Sequence, residues 1–507
     1  MITEIKTLKW YYTYNFIQTN LFLEMDMSDS NFGGANSITV RLEYENKKGM
    51  LADILNIVSN VNGDMAGIDV ISIKDKSIVR DLTINATDSG HEEKIVSAIK
   101  SIEGVRVVNV SDQTFLLHLG GKIELRSKEK IQNRDQMSRA YTPGVGKISE
   151  RIFKDKSAVW TLTGKAHTIA IVTDGSAVLG LGDIGPEAAL PVMEGKAVIL
   201  KEFGGVDSWP ICLNTQDVDE IVNIVKAISP GFGGIHLEDI SAPRCFEIER
   251  LLQEQLDIPV FHDDQHGTAI VVLAAFINSL KVLKKKKEGL KVVILGVGAA
   301  GTACAKILKN FGVKNIIGFN SKGLYKRIDE FSHSYWLEKN LNPNNESGDL
   351  GECLKGADFF LGLAGPNLVT TDQLKNMNDN SVVFALSNPN PEIMPNDVPP
   401  NISIVATGRS DFPNQVNNSL AYPGFFRGLV DSKAAKITDE MKVAAAEAIS
   451  STISEENLSE DFIMPSMFDR NIVKNVSEAV ISVASEQGLS RRKNMPRPGY
   501  ISFKRFH

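Results

Sequence analysis

Along the N-terminal part of the chain the apolar positions change rhythm, and each change marks an element. Residues 37–43 alternate apolar and polar like a strand, and the polar turn Asn46-Lys47-Lys48-Gly49 follows. Met50, Leu51, Ile54, Leu55 and Val58 recur at helical spacing across 50–61, and Asn62-Gly63 ends that run. Strand-like runs return at 68–73 and 78–85, a helix at 92–101, and a last strand at 105–110. The predicted order is βαββαβ, a ferredoxin-like unit.

From residue 119 onward, apolar runs and helical stretches take turns. The spacing predicts strands at 169–172, 234–237, 258–261, 291–295 and 315–319, with further strand-to-loop turns after 359, 382 and 404. Helices are predicted at 191–200, 217–227, 243–254, 267–283, 302–311 and, as one long element, 434–453. Such alternation implies α/β architecture with parallel sheets and ligands at the carboxyl ends of the strands.

Composition narrows the class. A chain of 507 residues holds roughly two to four domains. Its net charge of −7 gives no basis for nucleic-acid binding. Four scattered cysteines (Cys212, Cys245, Cys304, Cys353) lack metal-ligand spacing and fit reduced thiols in a cytoplasm. The apolar run 267–283 is short for a membrane span and is followed by a lysine cluster, so a buried helix is expected and no membrane. Residues 1–35 read as a flexible extension without a signal-peptide pattern, and the tail from Arg491 as a basic, solvated or partner-wrapping end.

Chemistry concentrates at two carboxylate pairs. Asp263-Asp264 lies between a strand and a helix, and Glu238-Asp239 ends the strand before it. Like charges converging at neighbouring strand ends need protons or a cation, and oxygen-only donors suit Mg²⁺ or Mn²⁺. Taken alone, Asp264 reads as a helix cap. Lys196 sits in an apolar helical stretch, where partial burial and a nearby metal would lower its pKa toward that of a base. Tyr141 stands beside the Pro143-Gly144 turn, and Gly175, Gly180, Gly182 and Gly185 keep a crowded surface clear of side chains.

The sequence Gly296-Val297-Gly298-Ala299-Ala300-Gly301 has a strand before it and a helix after it, the context of a dinucleotide cradle. The next strand ends at Asn320 where a ribose-binding acid is expected. Lys322 nearby could attract a 2′-phosphate, so both NAD and NADP stay open. Asn388, Asn417 and Asn418 supply amides suited to a carboxylate ligand, and each alone also reads as a loop cap.

Two resemblances follow from these stretches. Lys48-Gly49-Met50-Leu51-Ala52-Asp53-Ile54, at the strand-to-helix turn, resembles an ACT domain over about residues 36–115. That implies pairing between copies and either a small effector near the Gly49 turn or a folded spacer that only dimerises. The stretches Tyr141-Thr142-Pro143-Gly144-Val145, 172–176 with 179–187, Met193-Glu194-Gly195-Lys196, Leu237-Glu238-Asp239, 261–269 and 406–411 together resemble malic enzyme of the compact prokaryotic type, over about 119–485.

This second resemblance implies oxidative decarboxylation of (S)-malate to pyruvate and CO₂ with NAD or NADP and a divalent metal. It implies Glu238, Asp239 and Asp264 as metal ligands, Asp263 beside them, Lys196 as base and Tyr141 as acid. Asn388 and Asn418 match substrate contacts, with Asn417 adjacent. The larger branch carries a carboxylate-clamping Arg where this chain has Ala177, and nothing in the sequence names its replacement. The expected division is an extension (1–35), a regulatory ACT domain (36–118), a catalytic domain (119–283), a Rossmann domain (284–455) and a C-terminal helical segment with the basic tail (456–507). A homodimer or larger homo-oligomer is expected. The competing readings are an ACT-regulated Rossmann amino-acid dehydrogenase that needs no metal, and a nucleotide sensor without catalysis.

Overall fold

The computed structural model describes residues 36–74, 77–325 and 332–491 of the chain. The extension expected at 1–35 and the tail expected beyond Arg491 lie outside the described residues. The described residues fall into two compact units that divide between Leu119 and Gly120.

In the first unit the order is β1 (Ser37–Glu45), α1 (Met50–Asn60), β2 (Asp64–Ile73), β3 (Ser77–Asn85), α2 (Ser89–Lys100) and β4 (Val105–Asp112). The strands pair antiparallel in the order β2-β3-β1-β4, the βαββαβ topology expected. Alternation explains the single covered face: Ile38, Val40, Leu42 and Tyr44 point inward from β1 and meet Ile54 and Val58 of α1 and Ile95 and Ile99 of α2. Each such side chain contributes roughly 1.5–3 kcal/mol on burial. Gly49 enters α1 with φ 98°, a conformation that favours glycine. Asp88 caps α2 by accepting from the His91 N–H.

The second unit holds two parallel sheets. The first consists of β5 (Thr168–Thr173), β6 (Asp207–Cys212), β7 (Gly234–Leu237) and β8 (Val260–His262) in the order β6-β5-β7-β8. Its helices are α3 (Pro186–Glu202), α4 (Val218–Ile228) and α5 (Arg244–Gln255). Strand β6 was not expected. It contains Pro210, which cannot donate to a ladder and is tolerated here because β6 is an edge strand.

Helix α6 (Asp263–Leu283) runs out of β8 into the core. It begins at Asp263 rather than at 267, so both aspartates lie in its first turn. The second sheet follows: β9 (Lys291–Leu295), β10 (Asn315–Asn320), β11 (Gly323–Leu324), β12 (Phe359–Gly362), β13 (Ser381–Ala385) and β14 (Ile402–Thr407), with α7 (Ala299–Phe311) after β9. Its order is β11-β10-β9-β12-β13-β14, parallel except for the β10–β11 hairpin, and the order reverses between β9 and β12.

The long helix expected at 434–453 is shorter, Asp439–Ser450, and another helix, not expected, precedes it. Helix α8 (Tyr422–Ser432) ends at Lys433 with φ 50°, and α9 (Asp439–Ser450) starts anew under a Thr438 cap. Helix α10 (Arg470–Glu486) closes the described chain.

Candidate active site

Strands β7 and β8 are parallel neighbours, so their carboxyl ends open on the same edge. Glu238 and Asp239 leave β7 there, and Asp263 and Asp264 leave β8 as the opening turn of α6. Glu249 of α5 fixes that opening: it accepts from the His262 N–H at 3.2 Å and from Gln265 Nε2 at 3.2 Å, and pairs with His266 Nε2 at 2.8 Å. Asp239 has φ 54°, costing about 1–3 kcal/mol for a residue other than glycine. The bend is held at both ends. The Asp239 N–H donates to Asp264 Oδ2 at 3.0 Å, and the Asp239 carbonyl accepts from Ala177 N at 3.0 Å. Capping is therefore not the job of Asp264: the cap position of α6 is His262, with no side-chain cap.

Lys196 reaches this edge from α3. Its Nζ lies 2.5 Å from Asp263 Oδ2, 3.1 Å from Glu238 Oε1 and 4.7 Å from the centre of the Tyr422 ring. Asn418 Nδ2 donates to the same Asp263 oxygen at 2.6 Å. His236 Nε2 lies 2.6 Å from Glu238 Oε2, with its ring stacked on Phe426 at 5.3 Å.

Two acidic groupings result. Carboxylate oxygens of Glu238, Asp239 and Asp264 lie within 4.8 Å of one another, a hard-donor set that fits Mg²⁺ or Mn²⁺. His236, Glu238 and Asp263 converge as closely, but there the Lys196 ammonium already acts as the cation. Burial pushes the Asp263 carboxyl up to about 6 despite Lys196. Burial, aided by Glu238, likewise raises Asp264. Two carboxyls raised in this way mark a place that gains from a cation. Burial opposes the charge of Lys196, yet Asp263 and Glu238 outweigh it and raise its pKa well above the ordinary value. The lowering expected from the sequence supposed a metal beside Lys196; with the carboxylates alone around it the shift runs the other way.

The second sheet builds the cradle. Gly296 has φ 102°, and a Cβ there would stand 2.6 Å from the Leu363 carbonyl; at Gly301 it would stand 2.0 Å from the Gly296 carbonyl. A Cβ at Gly298 would meet nothing within 4 Å, so this turn faces open space just before Ala299 and Ala300 start α7. A pyrophosphate fits at such a helix N-terminus. Asn320 ends β10, and its Oδ1 accepts from the Lys322 N–H at 2.9 Å. Asn388 is exposed, and its carbonyl lies where a Cβ on Gly180 would come within 2.7 Å, so the glycine-rich loop of the first sheet meets the second sheet here. Asn417 uses its Oδ1 on the Ser419 N–H.

Tyr141 is not part of the cluster. It is 66% exposed, between the helices Arg134–Ala140 and Val145–Lys154, neither of which buries a residue. Sequence reasoning missed His236 and Tyr422. His236 lies two residues before Glu238 on β7, hence on the same face, and that spacing was readable. Tyr422 left no signal in its apolar surroundings.

Comparison with known proteins follows the same division. Residues 120–253 match the malic enzyme N-terminal domain, 265–485 the malic enzyme NAD binding domain and 34–109 an ACT domain. An NAD-dependent malic enzyme of Geobacillus stearothermophilus is 51% identical over 470 residues, covering 92% of this chain and 98% of that one. A bifunctional malic/malolactic enzyme of Bacillus subtilis is 48% identical over 375 residues, 73% of this chain and 92% of that one. The crystal structure of malic enzyme from Pyrococcus horikoshii superposes with a TM-score of 0.71 at 44% identity, over 74% of this chain and 89% of that one.

Proposed function

This chain belongs to the malic enzyme family, and from that premise we infer that Lys196, Tyr141 and the Glu238-Asp239-Asp264 trio carry its reaction. The enzyme oxidatively decarboxylates (S)-malate to pyruvate and CO₂ and reduces NAD(P). A metal-independent amino-acid dehydrogenase and an inactive sensor are not favoured. The observation that carries the assignment is the meeting of one lysine and four carboxylates at the end of β7 and the start of α6.

Glu238, Asp239 and Asp264 would hold a Mg²⁺ or Mn²⁺ ion, and the Gly296–Gly301 turn, with Asn320 and Lys322 beyond it, the dinucleotide. The dinucleotide held there would supply a hydride acceptor for C2 of malate, and the ion would supply positive charge for oxygens that become negative. Lys196 Nζ receives the hydroxyl proton. To do so it must first pass its own proton to the Asp263 carboxylate 2.5 Å away, whose Oδ2 Asn418 Nδ2 also meets. Asn388 and Asn418, with Asn417 adjacent, are the amides proposed to meet the substrate carboxylate. Tyr141, which stands outside this cluster, is the acid proposed to return a proton to C3. Each placed acid or base contributes about 10²–10⁴ in rate.

The test is malate-dependent reduction of NAD⁺ and NADP⁺ with Mn²⁺ and with EDTA. Turnover should vanish in EDTA and return with Mn²⁺. Lys196→Ala should fall by about 10²–10⁴ while dinucleotide binding persists. Turnover indifferent to EDTA, or normal oxidation by Lys196→Ala, would sink the assignment.

We read the first unit as regulatory, taking a small effector, and the second as catalytic and Rossmann halves meeting near residue 284. Copies are expected to associate. No residue from Gly120 to Thr168 is buried, although Leu125, Met137, Ile148 and Phe153 are apolar. A cytoplasmic setting fits four free cysteines. The one described helix apolar and long enough for a membrane is α6, which serves as a core helix instead.

A further inference from the structure

One fully buried carboxylate has no place in the chemistry above. Glu392 follows β13 across the loop Ser387-Asn388-Pro389-Asn390-Pro391 and is 0% exposed. Its Oε1 accepts from the Ala364 N–H at 2.9 Å and the Gly365 N–H at 3.4 Å, and its Oε2 from the Ser387 N–H at 3.2 Å. Those donors belong to two loops, one leaving β12 and one leaving β13. The backbone repeats the tie: Val369 N donates to the Glu392 carbonyl at 3.2 Å and Asn367 N to the Pro391 carbonyl at 3.1 Å.

Glu392 forms no ion pair among the described residues, and burial pushes its carboxyl up against the pull of the backbone donors. Burying a charge without a counter-ion is costly, and a tie that only held loops together could be neutral. The neighbouring chain has made room for it. A Cβ at Gly362 would lie 2.5 Å from Glu392 Cδ, so β12 ends in glycine to admit this side chain. The turn that Glu392 holds, Leu363-Ala364, is the surface on which Gly296 of the cradle rests. Strand order reverses between β9 and β12, the point across which a dinucleotide lies in such sheets. Asn320 and Lys322 mark the adenosine side at β10, which leaves β12 and β13 to the nicotinamide.

We propose that Glu392 is the positioning residue of the nicotinamide half of the cofactor cleft, its carboxylate fixing the loops after β12 and β13 as one frame. It touches neither malate nor the reacting atoms.

The test is binding without malate or turnover, by calorimetry. The probes are whichever of NAD⁺ and NADP⁺ the wild type holds more tightly and the matching ADP-ribose fragment, which lacks nicotinamide. Glu392→Ala should weaken the dinucleotide about tenfold or more and the fragment by no more than about twofold. Glu392→Gln keeps an acceptor toward Ala364 but turns an NH₂ onto the Ser387 N–H, and should fall between. Equal weakening of both probes, or of neither, overturns the proposal. If Glu392→Ala does not fold, Glu392→Gln decides alone, and wild-type dinucleotide affinity overturns it. Because no malate is present, a negative result leaves the assignment of the reaction to be judged by its own assay.

Discussion

Gly267 follows Asp263 by one turn of α6, and a Cβ built there would stand 1.9 Å from Asp263 Oδ1 and 3.2 Å from Asn418 Cβ. Alanine is the better helix former by about 1 kcal/mol, so a helix serving only as core would not keep glycine here. The absent side chain leaves space for the carboxylate that binds Lys196 and Asn418. Gly267→Ala should therefore displace Asp263 and lower malate turnover by about 10²–10⁴, the range of one placed acid or base, with dinucleotide binding little changed. Turnover near wild type would show that Asp263 has no part in holding the Lys196 proton. His236 acts at the same scale. Burial drives its pKa down to about 3, so at neutral pH it is an uncharged partner for Glu238 and does not compete with a metal as a cation.

Between elements, Asp358 does what no single strand can. Lying just before β12, its carboxylate accepts from the Lys291 N–H at the start of β9 at 3.0 Å, from Lys285 Nζ after α6 at 3.1 Å and from Asn378 Nδ2 at 3.0 Å. Burial opposes its charge, and these donors outweigh burial and hold its pKa below the ordinary 3.8. The unfolded chain therefore binds this proton more readily than the folded one. The stability Asp358 supplies is complete above that ordinary value and drains away as pH falls through the folded one. Asp358→Asn should lose about 1–3 kcal/mol at pH 7, seen as a lower melting midpoint, and the gap to wild type should close in acid. A gap independent of pH would remove charge from the account. What the sequence disclosed follows from the same junctions. Elements with a clean period, such as β7 and β9, were readable to the residue. Strand β6 was hidden by Pro210, and helix α8 by the Pro423-Gly424 pair in its first turn, which reads as a loop. Of the candidate site residues, Lys196 and the paired carboxylates, which lie in contiguous motifs, are the ones the fold brings together. Glu392 was not, since a glutamate after Pro-Asn-Pro reads as a solvated loop until two other loops close over it.

At the scale of the whole molecule the second unit has a deep core and an arm that buries nothing. Helix Val145–Lys154 turns Val145, Ile148 and Phe153 outward at 41, 38 and 87% exposure. An apolar stripe on a helix needs a partner surface, and an uncovered one of this size marks an interface. A second copy of the chain is the partner proposed for it. Tyr141 ends the preceding helix, four residues before this one, so whatever covers the arm also decides what the Tyr141 hydroxyl meets. Ile148→Asp combined with Phe153→Asp should shift the protein to a smaller species in sedimentation. Malate turnover should fall with the shift, while dinucleotide binding, which belongs to the second sheet, should stay as it was. A variant of unchanged size and full activity would mean that the arm is covered by nothing the reaction requires.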